Sequence, residues 1–333
     1  MKTLVTGGTG FIGNHLIKAL VEQGRDVRCL VRETSNTKFL EELKVDLVYG
    51  DIGKKDSLKD AVKGVSIVYH LAGEVYSKRS DDFFKVNVNG TKNLIEVCIC
   101  EKIQKFIYFS SIAAVGPNPH RDIVLNEQSP CKPISPYGKS KYETEKMLIL
   151  RYHKVNNLPI VIIRLPVVYG PGISPLSRVS LMLKMALSGK IRMVGDGNNT
   201  ICLCNIENLI QGVLLAERNS KAKGEIYFLA DKKPYTINNI IQKVAQKEGV
   251  EFSQSRIPVF LAKTVVRIVT ISARVFGLSL PFHPHIIEEI THNWVNSISK
   301  AENELGYCPK VGLEDSLEAT IDWFKSQNII RGG

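Results

Sequence analysis

The stretch Lys2-Thr3-Leu4-Val5-Thr6-Gly7-Gly8-Thr9-Gly10-Phe11-Ile12-Gly13 decides how this chain is read. Leu4 and Val5 centre a short apolar strand. Behind the glycines, Ile12, Leu16, Ile17, Leu20 and Val21 recur at helical spacing. A strand, then Gly-x-x-Gly-x-x-Gly, then an apolar helix is the context a dinucleotide fingerprint requires. Gly7 lets the chain turn sharply off the strand. Gly10, without a Cβ, lets the backbone approach a pyrophosphate, and Gly13 lets the helix lie close to the sheet. The first helical turn, with Phe11 and Ile12, then offers free N–H groups and a positive dipole end to the phosphates. An ordinary tight strand-to-helix turn uses the same glycines, so the rest of the chain must carry the assignment.

Working outward, short apolar runs follow at 27–31, 47–49, 67–71, 106–109 and 160–163, with helical patterns between them, as at 83–103 and 140–152. This alternation predicts an α/β fold, a doubly wound parallel sheet of Rossmann type over 1–170, with ligands at the carboxyl ends of its strands. After Gly172 the pattern changes. A helix at 181–188 leads to the turn Val194-Gly195-Asp196-Gly197, and the chain is expected to return to the sheet over about 198–230, at 201–206 and 226–229. Residues 171–197 and 231–333 read as a smaller, mostly helical substrate-binding domain.

The 333 residues, 44% hydrophobic and 23% charged, describe a soluble globular chain with ample core. The first strand starts at residue 2, so no signal or transit peptide is expected. No uncharged apolar stretch of about 18 residues predicts a membrane span. The seven cysteines (Cys29, Cys98, Cys100, Cys131, Cys202, Cys204 and Cys308) are odd in number and lack metal-ligand spacing. They read as reduced thiols of a cytoplasmic protein, with no metal site. A net charge of +11 suits nucleic acid, an anionic membrane or phosphorylated ligands. Without a basic run interleaved with aromatics, nucleic acid is not expected, and a phosphate-bearing cofactor is.

The end of the second strand bears on which dinucleotide fits. An NAD site usually places an acid there for the ribose 2′-hydroxyl. This strand ends Leu30-Val31-Arg32-Glu33, so Val31 stands where the acid is expected. Arg32 can pair with a 2′-phosphate and Lys38 can add a second charge, which favours NADP(H) over NAD(H). The alternative is a solvated Arg32, with Glu33 in the acid's place. Asp51, in Tyr49-Gly50-Asp51-Ile52, is positioned to accept the adenine amino group. The fourth strand ends His70-Leu71-Ala72-Gly73, where the backbone must pass the cofactor; His70 itself reads as a packed strand residue.

Further motifs follow in order: Asn87-Val88-Asn89-Gly90-Thr91, Phe109-Ser110-Ser111, Tyr137-Gly138-Lys139-Ser140-Lys141 and Val168-Tyr169-Gly170-Pro171-Gly172. With Thr6 to Gly13 and His70 to Gly73, they resemble the extended short-chain dehydrogenase/reductase family, which includes NAD(P)-dependent epimerases and dehydratases. The resemblance spans nearly the whole chain. It implies that Ser111, with Ser110 beside it, bonds the substrate oxygen and that Lys141 holds the nicotinamide ribose. It further implies that Asn87 lines the cofactor site, that Pro166 lies near the nicotinamide, and that the chain forms a homodimer through helices around 83–103 and 140–155.

Tyr137 and Lys141, four apart at a helix start, share one face. A free phenol titrates near about 10. A cation about 4 Å away is worth roughly 4 kcal/mol at an effective dielectric near 20, or about three pKa units. Lys141, helped by an oxidised nicotinamide ring, is therefore expected to bring Tyr137 into the range of a general acid/base.

The residues after Ser111 narrow the reaction. The family's 4,6-dehydratases place an Asp-Glu pair there, whereas this chain has Ile112 and Ala113. Many nucleotide-sugar epimerases have an asparagine where Val167 stands here. Ser111-Ile112-Ala113-Ala114-Val115-Gly116-Pro117-Asn118 and Asn205-Ile206-Glu207-Asn208 are similar to the 3β-hydroxysteroid dehydrogenase and dihydroflavonol reductase branch. The expected activity is hydride transfer between nicotinamide and a secondary alcohol or ketone. The alternatives are a redox-neutral sugar epimerase and a non-catalytic NADP sensor. Arg178 and Arg192 are candidates for binding a substrate diphosphate. Residues 257–278 are nearly all apolar, broken by Lys263, Arg267 and Arg274. On a helix these three fall within roughly 40° of one another. Such a basic stripe suits either a buried helix with one wet edge or peripheral contact with an anionic membrane.

Overall fold

The computed structural model describes residues 1–175, 177–275, 280 and 285–329. Seven parallel strands form the central sheet. In chain order they are β1 (Lys2–Thr6), β2 (Asp26–Val31), β3 (Asp46–Tyr49), β4 (Val65–His70), β5 (Lys105–Ser111), β6 (Ile160–Leu165) and an edge strand, Ile226–Phe228. In space the edge strand lies beside β6, followed by β5, β4, β1, β2 and β3. Strand order reverses between β1 and β4, whose carboxyl ends carry Gly7 and Leu71. The crevice at such a reversal is where ligands of doubly wound sheets bind.

The sheet is buried on both faces, as its near-continuous Val, Ile and Leu runs require. One apolar layer joins Val5, Ile107 and Ile163 to helix α1 (Phe11–Glu22) and the helix Ile206–Arg218. The other joins Leu4, Val68 and Phe106 to the helix Thr91–Cys100. A third cluster, including Tyr169, Leu183, Ile241 and Phe324, is built from residues after the sixth strand.

One sequence expectation needs correction. Residues 201–206 do not rejoin the large sheet. Thr200–Ile201 pairs antiparallel with Tyr235–Thr236, and Leu203–Asn205 pairs with Val167–Tyr169. The described part of the region after 231 is mostly helical, with a short strand, Ser253–Ile257, paired parallel with Lys190–Val194. The helical patterns at 83–103 and 140–152 each contain a π-helical stretch, Phe84–Gly90 and Met147–His153. Residues 257–278 fold as a helix over Val259–Val275. The side chains of Arg178 and Arg274 lie outside the described residues, as do 276–278. Among the described residues no helix is long and apolar enough to cross a membrane.

Candidate active site

The glycine loop is built as its spacing predicts. Gly7 has φ +73, and a Cβ there would meet the Ala72 nitrogen at 2.7 Å. A Cβ on Gly13 would meet the Gly7 oxygen at 2.3 Å, so α1 comes too close to the loop for any side chain. At Gly10 the nearest atom to such a Cβ is the Gly7 oxygen at 3.3 Å. Gly10 caps α1 without a side-chain hydrogen bond, and the first turn contains no acid. Its N–H groups are therefore available to an anion, as a pyrophosphate requires.

The other residues that the sequence assigns to a nucleotide lie along or near the same strand ends. Arg32 is exposed just beyond β2 and, among the described residues, has no ion-pair partner. The Asp51 carboxylate accepts the Gly53 N–H at 2.7 Å through one oxygen. Ile52 is buried, and its carbonyl accepts from Asn93. Leu71 and Ala72 are tied to Thr6 by hydrogen bonds of 3.1 and 3.2 Å. Gly73 is exposed, and a Cβ there would lie 2.9 Å from Asn87 Oδ1 and 3.5 Å from Lys141 Nζ. Asn87 is buried and accepts the Glu74 N–H while donating to the Glu74 carbonyl and Ser140 Oγ. Pro166 is buried directly after β6.

Ser111 ends β5, and its hydroxyl accepts the Ala113 N–H at 3.1 Å. Opposite it starts the helix Pro136–Lys146, capped by Ser135 Oγ, which accepts the Gly138 N–H. Proline at the first helical position and serine at the cap fix where this helix begins, and so where Tyr137 sits. A Cβ on Gly138 would meet the Ala113 oxygen at 2.3 Å. That close approach sets the Tyr137 phenol near enough to Ser111 for the serine hydroxyl to act on it.

The electrostatics differ from the sequence expectation. Burial pushes the Tyr137 phenol up to about 12; the Ser111 hydrogen bond pulls it down and the nearby Glu289 carboxylate pushes it up. Lys141 Nζ donates to the Phe109 carbonyl at 2.8 Å and stands 4.8 Å from the Tyr108 ring centre but 6.0 Å from that of Tyr137. The strong direct lowering of the phenol by Lys141 is therefore not present in this arrangement. Lys141 is itself brought down to about 8 by burial, against the pull of Glu145. His70 is a packed residue, as read: it is held between Thr6 and Thr91 at 2.7 and 2.8 Å. Burial and the neighbouring Lys141 lower its imidazole to about 3.

Several residues that sequence reasoning passed over shape this site. Glu145 and Arg164 form a fully buried ion pair at 2.8 Å, and Ser110 donates to the same carboxylate. The Tyr137, Lys141, Glu145 spacing on one helix face was the available signal for Glu145. Glu289 and Trp294 carried none, being more than 150 residues away from Tyr137 in the chain. Trp294 packs against the cluster of Ile112 and Val115 and donates its indole N–H to the Glu289 carbonyl at 2.8 Å. Asn118 bonds Asn293 and Val295, at 3.0 Å through its backbone and 2.9 and 2.7 Å through its amide.

The family profile described as "NAD dependent epimerase/dehydratase family" matches residues 3–230. The chain belongs to the NAD-dependent epimerase/dehydratase family. This epimerase/dehydratase-family chain is an enzyme of the extended short-chain dehydrogenase/reductase group. It is 31% identical to "Uncharacterized protein y4nL" of Sinorhizobium fredii, over 96% of this chain and 94% of that one. It is 28% identical to 3beta-hydroxysteroid-dehydrogenase/decarboxylase isoform 1 of Arabidopsis thaliana, over 98% of this chain and 80% of that one. Among solved structures, UDP-glucuronic acid 4-epimerase from Bacillus cereus, in complex with UDP-glucuronic acid and NAD, superposes with a TM-score of 0.78. That structure is 27% identical and covers 98% of this family member and 100% of its own chain.

Proposed function

We propose that this enzyme interconverts a secondary alcohol and a ketone with NADP(H), using Tyr137 as the acid/base. The convergence of Ser111 at the end of β5 with Tyr137 and Lys141 on the first turns of the facing helix carries the reading. The free first turn of α1 and the open approach at Gly10 fit a dinucleotide pyrophosphate. A bound nicotinamide supplies the hydride acceptor or donor. Tyr137 Oη gives a proton to the substrate oxygen in reduction and takes it back in oxidation. Ser111 Oγ holds that oxygen. Lys141, low enough to titrate near neutrality, holds the ribose and returns a proton to the phenol.

The exposed Arg32 just beyond β2, without an ion-pair partner among the described residues, supports NADP(H), since it can meet a 2′-phosphate that no acid at Val31 repels. Residues 171–197 and 231–333 form the substrate side, where the similarity to a hydroxysteroid dehydrogenase favours an extended apolar substrate. The enzyme works in the cytoplasm as a homodimer through the helices around 83–103 and 140–155. A second reading, a redox-neutral sugar epimerase, is favoured by the likeness to the UDP-glucuronic acid 4-epimerase.

The test begins with the purified protein, whose released nucleotide is identified and which is then titrated with NADPH and NADH. Preference for NADPH, weakened about tenfold or more by Arg32→Glu, is expected. Tyr137→Phe should cut ketone-dependent NADPH consumption by roughly 10²–10⁴-fold while binding NADPH normally. Stoichiometric, firmly held NAD would favour the epimerase instead, and full turnover by Tyr137→Phe would remove the proposed acid/base.

A further inference from the structure

The helix Val259–Val275 turns its apolar side the wrong way for a buried element. Its inward positions are Val259, Ala262, Val266, Thr270 and Ala273, which fall within roughly 80° on the helix wheel. They are small or half-buried, with only Ala262 and Ala273 fully covered. The opposite arc, about 140° wide, is occupied by Phe260, Leu261, Val265, Ile268 and Ile271. These are 73, 47, 51, 59 and 53% exposed. Lys263 and Arg267 sit together on one edge of this arc, and the helix contains no acid. An amphipathic helix with an outward apolar face and a basic edge has the pattern of one lying in an anionic lipid interface. The net charge of +11 acts in the same direction. A second copy of the chain would bring the same cations to this face, and no acid on the helix to answer them.

The position of the helix matters as much as its pattern. It packs on the short helix Ile286–Thr291, to which Lys263 is tied by a 3.0 Å ion pair with Glu288. The next residue, Glu289, is buried and acts on the Tyr137 phenol. Ile290, on the same short helix, is also an exposed apolar residue. The outward face is thus one short helix away from the acid/base.

We propose that the helix Val259–Val275 docks the enzyme on an anionic bilayer surface, and that its substrate is an amphiphilic alcohol or ketone held in that surface. The docking stands by itself; the substrate class rests on the redox function proposed above.

Flotation with phosphatidylcholine vesicles, with and without phosphatidylglycerol, tests the docking. The full chain should float with the anionic vesicles, and high salt should release it. The double variant Ile268→Ser/Ile271→Ser should lower partitioning by about tenfold or more, and Arg267→Gln by about fivefold. Equal flotation of wild type and double variant, or none by wild type, overturns the docking. So does sedimentation in which the double variant splits a wild-type dimer, which would assign the face to a second copy. With NADPH, the double variant should slow on a long-chain ketone embedded in anionic vesicles yet keep its rate on a short soluble ketone. A variant equally fast on both overturns interfacial delivery. Flotation without turnover of either ketone leaves the docking standing and removes the redox reading instead.

Discussion

At the scale of single residues, the candidate centre is a set of groups whose pKa values burial moves away from their ordinary ones. Lys141 is the clearest case. Its ammonium is lowered from 10.5 to about 8, because burial penalises the charge more than Glu145 supports it. Between those two values the unfolded chain holds a proton that the folded chain has lost, so stability rises with pH across that window. Below about 8 both states are protonated and the burial penalty, on the order of 3 kcal/mol, is fully present. Lys141→Met is therefore expected to melt above wild type at pH 7, by a gap that narrows towards pH 10, while turnover disappears. Melting curves across that range check it; a gap that stays constant would mean the lysine's charge carries no such penalty. Tyr137 is the converse. With its phenol raised to about 12, it stays protonated across the physiological range, the state from which the proposed reduction starts. The pair was legible in the sequence because four residues on a helix fix a shared face. Their electrostatics were not, because the Phe109 carbonyl and the Tyr108 ring that engage Lys141 come from a strand some thirty residues earlier.

At the scale of elements, short-range geometry was readable and partner choice was not. The β1–glycine–α1 unit is local, so its strand bounds and close contacts followed from spacing. The run at 201–206 looks like any buried strand; that Leu203–Asn205 pairs with Val167–Tyr169 depends on chain far away. The π-helical stretches shift the helical register through local bonding that leaves the apolar pattern unchanged. Within the glycine loop the structure separates two roles that spacing alone joins. Gly13→Ala must force its methyl against the Gly7 oxygen and Gly8 Cα, at 2.3 and 2.7 Å, and should destabilise the fold by about 1–3 kcal/mol. Gly10→Ala meets only one atom, at 3.3 Å, so it should fold nearly as wild type and lose nucleotide affinity instead. Melting temperature and NADPH affinity, measured side by side, distinguish these outcomes; the same loss in both variants would contradict the division.

At the scale of the whole molecule, two ion pairs, one buried and one half-buried, tie the layers together. Glu217 accepts from Tyr69 of β4 at 3.0 Å and from Arg25, joining the sheet and the loop after α1 to the helix Ile206–Arg218. Glu145 and Arg164 join the Tyr137 helix to β6, and the Arg164 guanidinium also covers the Phe228 ring of the edge strand. Glu145→Gln would leave Arg164 buried without a counter-charge, at about 3–5 kcal/mol in chemical denaturation. Adding Arg164→Met should return most of it, whereas an additive second loss would show that the charges are not coupled. The segment around 293–297 has a different reach. Val295 bonds Leu125 at 2.9 Å, Ser297 bonds back at 2.8 Å, and Trp294 exchanges bonds with Cys202 and Thr200 at 2.8 Å each. During synthesis on the ribosome this tie arrives long after the glycine loop. The glycine loop is completed by residues close to it in the chain, whereas the surroundings of Ser111 and Tyr137 wait for residues more than 150 positions further on.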